Sequence, residues 1–179
     1  MSNHFADMLT VGGKTNSLGR AQEIIDAVLD DQSRLKELYA CLDHDDAWAR
    51  MRAADAIEKV CRQHPDWMQP YIDRFISVQT TCTQPSILWH MAQIFAQVNL
   101  TVTQKRAVID WLQNALSSTE IDWIVAANAM TTLVQFTRDG SVPKADTLKL
   151  LKIQQQHKSN TVIRRATKLL NELTKSETV

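Results

Sequence analysis

Three stretches of the chain carry residue types able to do chemistry. Thr10 to Arg20 reads T-V-G-G-K-T-N-S-L-G-R, and its Gly13-Lys14-Thr15 has the ending of a phosphate-binding loop. Such a loop curls backbone N–H groups around phosphates ahead of the lysine and the hydroxyl, which takes a further glycine where this chain has Met8. It also takes a buried strand leading in, and M-S-N-H-F-A-D-M-L-T has no β-branched run. The residue pattern instead predicts a flexible N-terminal arm over 1–16, with Asn16 or Ser17 capping the first helix.

Two Cys-x-x-His pairs, Cys41 with His44 and Cys61 with His64, have the ligand types of a zinc site. If 46–63 is one helix, the 17 residues from His44 to Cys61 span roughly 25 Å, whereas zinc ligands all lie about 2.3 Å from the ion. The pairs cannot share a metal, and both cysteines read as buried structural thiols; no metal or other cofactor is expected. The turn Asp43-His44-Asp45-Asp46 gathers three carboxylates round an imidazole, a grouping suited to metal binding or acid–base work. Directly before a helix, however, an aspartate accepts the free N–H groups and suits the positive end of the dipole, so capping is the expected role. Among the five tryptophans, Trp48, Trp89 and Trp123 fall early in helices, where core and groove placements are both open. No catalytic motif stands at persuasive spacing, and the chain is expected not to be an enzyme.

The elements that position these residues are all helical. Glycine and proline number four each in 179 residues, and apolar residues recur at three- and four-residue spacing. Helices are expected near 17–30, 33–42, 46–63, 66–79, 84–98, 102–116, 119–138, 143–157 and 159–175. Capping boxes or close variants stand at Asp66 to Gln69, Thr101 to Gln104 and Ser117 to Glu120. Pro85 and Pro143 suit first turns, and Asp139-Gly140 suits a helix end. With 44% apolar content the chain can bury one core, so a single domain is expected over 17–179.

Lys+Arg and Asp+Glu are 20 each, which leaves no net field to gather polyanions or an anionic membrane. The charge is nonetheless lopsided: residues 1–74 hold 9 basic and 13 acidic groups, 75–138 hold 3 and 3, and 139–179 hold 8 and 4. A monomer or a weak, salt-sensitive head-to-tail oligomer follows. The uncharged stretch between Arg74 and Lys105 is too rich in Thr, Gln and other polar groups for a membrane span. The N-terminus shows no secretory pattern, and three cysteines without C-x-x-C fit reduced thiols, so a cytoplasmic location is expected.

Aligning the second helix of each hairpin at steps of 38, 38 and 37 residues exposes a repeat. One polar column is Arg52, His90, Asn128, Arg165; a second is Asp55, Gln93, Thr131, Lys168; a third is Lys59, Gln97, Gln135, Glu172. An apolar column runs Ile57, Phe95, Leu133, Leu170. One helical hairpin per period of about forty residues is the signature of a solenoid.

At Asp45 to Val60, D-D-A-W-A-R-M-R-A-A-D-A-I-E-K-V, the sequence resembles the HEAT-repeat family, with its turn aspartate and its arginine followed by small residues. The resemblance extends in architecture over roughly residues 31–175. It implies a right-handed α-solenoid of about four HEAT-like hairpins behind an N-terminal capping helix, whose second helices line a concave face that binds a protein or peptide. The columns, with Trp89 beside His90, then nominate Arg52, Asp55, Lys59, Trp89, His90, Gln93, Gln97, Asn128, Thr131, Gln135, Arg165 and Lys168 as the binding face. HEAT-like DNA glycosylases that excise alkylated bases are the alternative, matched in fold class only. The aligned face has Gln, Thr and Asn where a phosphate-tracking groove needs Lys and Arg, so nucleic acid is disfavoured as a partner.

Overall fold

The computed structural model describes residues 4–11 and 17–175, and over them the chain is helical, with no strand among the described residues. Gly13-Lys14-Thr15 and Asn16 lie outside the described residues. Two compact units emerge, a finer division than the single domain expected over 17–179. The first holds residues 1–71 with 97–99, the second 72–96 with 100–179.

The first unit is built from α1 (His4–Thr10), α2 (Ala21–Asp30), α3 (Leu35–Ala40) and α4 (Ala47–Gln63). Phe5, Met8 and Leu9 recur at helical spacing and are all buried, so this part of the expected flexible arm is a docked helix. The Arg34 guanidinium covers the Phe5 ring at 4.0 Å, and the Phe5 N–H donates to Glu37 Oε1 at 3.0 Å. The next helix starts four residues later than the expected 17–30, because Gly19 turns the chain at a φ of 52° before Ala21. α2 buries Ile24, Ile25 and Val28 against α4, whose Ala49, Ala53 and Ala56 permit close approach. Asp46 caps α4 as expected, its carboxylate accepting from the N–H groups of Trp48 at 2.7 Å and Ala49 at 3.2 Å. The helix expected over 66–79 is a 3-10 segment as far as Tyr71 and α-helical only from Ile72, since Pro70 has no N–H and its ring crowds an α-helical carbonyl.

The second unit contains α5 (Ile72–Thr81), α6 (Pro85–Phe95), α7 (Val102–Leu116), α8 (Trp123–Arg138), α9 (Lys144–Gln154) and α10 (Asn160–Lys175). Pro85 opens α6, and the Thr101–Gln104 capping box is complete on both sides. Ser117 does not begin a helix: its hydroxyl donates to the Asn114 carbonyl at 2.6 Å and ends α7, while Asp122 caps α8. Gly140 follows α8 at a φ of 81°, which a side chain rarely adopts. Within this unit α6, α8 and α10 pack in succession, as do α5, α7 and α9. Their shared core includes Phe95, which meets Trp111 edge-on, and Met91, Leu112, Leu116, Met130 and Leu133.

Candidate functional site

The cysteine, histidine and aspartate candidates are absorbed by local structure. Cys41 is buried with its thiol donating to the Glu37 carbonyl at 3.4 Å. Cys61 is buried in α4, and desolvation, with Glu58 adding to it, pushes its thiol up to about 12. His44 accepts the Asp46 N–H on Nδ1, and Arg50 donates to the carbonyls of His44 and Asp45, so the acidic turn is knitted to the start of α4. Among the described residues no cluster of three or more His, Cys, Asp or Glu side chains could hold a metal ion. His64 is stacked on Trp67 at 4.0 Å.

Of the nominated face residues, Arg52, Asp55, Lys59 and Gln97 belong to the first unit. Arg52 is only 5% exposed and points inward, contrary to expectation. Its Nη1 donates to the Leu9 carbonyl and its Nε to the Ser17 carbonyl at 2.8 Å. Leu9 sits in the last turn of α1, where carbonyls have no intrahelical partner, and a buried guanidinium satisfies them. Asp55 and Lys59 form an ion pair at 2.8 Å one turn apart, and Gln97 donates to the buried Glu58 carboxylate at 3.1 Å.

The second unit holds the rest. His90 is 2% exposed, a second correction, and its ring lies 3.4 Å from that of half-buried Trp89. Burial at Ile87, His90, Met91, Ile94 and Phe95 has the spacing of an inward stripe, and that spacing was the signal available in the sequence. Beyond His90 the column turns outward by degrees. Half-buried Asn128 accepts from Gln93 Nε2 at 3.0 Å and donates to the Ile124 carbonyl. Thr131, Gln135, Arg165 and Lys168 are exposed on α8 and α10. Arg165 Nη1 lies 3.4 Å from Thr131 Oγ1, and Gln135 Nε2 donates to the Ala96 carbonyl at 2.7 Å. Trp123, at the start of α8, is 48% exposed, as Trp48 is by 39% in the first unit. A half-open row of amides, hydroxyls and cations on successive helices has the chemistry to hydrogen-bond another chain.

Repeating second helices joined by bonds about one period apart match what comparison with known families finds: the family model for the HEAT repeat domain matches residues 13–138. The chain belongs to the HEAT-repeat family. Helices α9 and α10 lie beyond the matched residues, and Gln154 of α9 donates to the carbonyls of Leu116 and Ser118 at 2.9 Å. Searches of curated proteins and of solved structures give no match. HEAT repeats generally serve as interaction scaffolds, and no helix of the described residues is long and apolar enough to cross a membrane.

Proposed function

We propose that the chain is a non-enzymatic, cytoplasmic HEAT interaction module, a right-handed array of about four hairpins behind α1 and α2. In this reading its second helices bind a protein or peptide on their concave side. The observation that carries the reading is the exposed row of Thr131, Gln135, Arg165 and Lys168 on adjacent helices α8 and α10. These side chains offer donors and acceptors at helix spacing on a surface that costs little to desolvate compared with a dense charge patch. Arg52 and His90 leave the nominated face, because their polar atoms are turned into the packing of their own units.

Affinity capture from a lysate of the source organism, read by mass spectrometry, tests this with the wild-type chain and a Thr131→Ala, Gln135→Ala, Arg165→Ala variant. The expected result is a specific partner whose binding weakens about tenfold or more in the variant while the melting temperature holds. A parallel salt titration with duplex DNA separates the alternative, since binding through phosphates is steep in salt. Tight, salt-steep DNA binding without a protein partner overturns the reading.

A further inference from the structure

Each second helix of the second unit presents one edge to the helix that follows it. On α6 that edge is Ala92, Gln93 and Ala96: Thr132 Oγ1 donates to the Ala92 carbonyl at 2.8 Å, Gln93 donates to Asn128, and Gln135 donates to the Ala96 carbonyl. On α8 the same edge includes Thr131, which receives Arg165, and Arg138, whose Nη2 meets Glu172 Oε2 at 2.7 Å. Steps of 38 and then 37 residues carry Ala92, Gln93 and Ala96 to Thr167, Lys168 and Asn171 of α10. The last step alone carries Arg138 to Lys175. Those four α10 residues, with Ile163, Arg164 and Glu172, line one open groove of about 530 Å³, in which three cations outnumber one carboxylate. Leu170 on the same helix is only half-buried, whereas its column-mates Phe95 and Leu133 are fully buried.

We propose that this groove seats an acidic amphipathic helix of a partner protein, repeating on α10 the packing that α10 makes on α8. The proposal rests on the chain being an interaction module and adds the place and the partner's chemistry. Charge complementarity decides the chemistry. Arg164 and Lys175 are exposed and have no ion-pair partner among the described residues. Lys168 reaches Glu172 only at 3.9 Å, and that carboxylate is held by Arg138 at 2.7 Å. In the step from α8 to α10 a carboxylate answers Arg138. The same register on α10 puts a carboxylate opposite Lys175 and an acceptor opposite Lys168, with an apolar residue of the incoming helix over Ile163.

Fluorescence anisotropy on the full chain tests the proposal with a fluorescein-labelled, Glu-rich peptide carrying leucines at helical spacing. Saturable binding that falls as salt rises is expected. The pair Lys168→Glu and Lys175→Glu should weaken it about tenfold or more, while Lys149→Glu, an exposed cation on α9 outside the groove, stays within about twofold. Circular dichroism of each variant should match wild type, because all three positions are exposed. The proposal is overturned if the folded chain does not bind the peptide, if a scrambled peptide of equal composition binds as well, or if Lys149→Glu is equally damaging. Tighter binding of labelled duplex DNA, lost through the same groove variants, would assign the groove to phosphates and reject the acidic helix. Failure in these assays alongside a captured partner sensitive to the α8 and α10 row variants removes this inference and leaves the interaction module standing.

Discussion

Arg52 brings a guanidinium into the first unit and spends its donors on two backbone carbonyls from a segment more than thirty residues earlier. Truncation leaves those carbonyls buried without their charged donor, so Arg52→Ala should lower unfolding free energy by about 2 to 3 kcal/mol, measured by urea denaturation. A loss under about 0.5 kcal/mol would mean that water replaces the side chain. Asp46 works at the opposite, solvated limit. The N–H groups of Trp48 and Ala49 hold its carboxyl below the ordinary aspartate range. A group whose folded pKa is depressed stabilises above its unfolded pKa and loses that contribution as pH falls through the folded value. The melting-temperature gap between wild type and Asp46→Ala should therefore be constant above about pH 5 and close below about pH 4. A gap that persists in strong acid would exclude the charged cap as its source.

At the scale of elements, α1 is too short to be stable alone, and its helix is maintained by what it docks on. Phe5, Met8 and Leu9 are sealed, and the Leu9 carbonyl is the acceptor for Arg52. Deleting residues 1–10 removes three buried apolar side chains at once, and should lower the melting temperature by about 10 °C or more in a thermal scan. An unchanged transition would show that α2 to α4 close the core without it. The apolar spacing of Phe5, Met8 and Leu9 was present in the sequence, but seven residues are too few for periodicity to separate a docked helix from a loop. Longer elements were legible for the opposite reason: α7 and α8 each show several turns of pattern bounded by caps, and α10 shows sixteen residues of amphipathic pattern.

Across the whole molecule, the division into units coincides with a division of charge. Residues 1–71 with 97–99 hold 8 basic and 12 acidic groups, and the remainder hold 12 and 8, so the two carry −4 and +4. Unlike units of two molecules should then attract, an interaction screened beyond roughly 10 Å at 0.1 M salt. Sedimentation velocity should show a concentration-dependent increase in mass only at low ionic strength and a monomer at physiological salt. Association that survives high salt would need an apolar contact and would rule out charge as the cause.

The sequence by itself determined the helical class, most helix boundaries and the repeat, because these depend on local spacing, caps and proline chemistry that act within a few residues of chain. It also identified the columns, since register is a property of the period. Which way Arg52 faces was decided only by tertiary structure, whereas the inward stripe that holds His90 was already written in the spacing of α6. Arg52 and His90 occupy the same repeat position as exposed Arg165, yet both are buried. For Arg52 the reason is that α1 places unsatisfied carbonyls within its reach, and no local pattern records the arrival of a distant helix end. For His90 it is the apolar stripe on either side of it in α6. Arg165 stays in water because the α10 residues that pack are Val162, Ala166, Leu169 and Leu173, so burial at one column position is decided by the neighbours each helix meets.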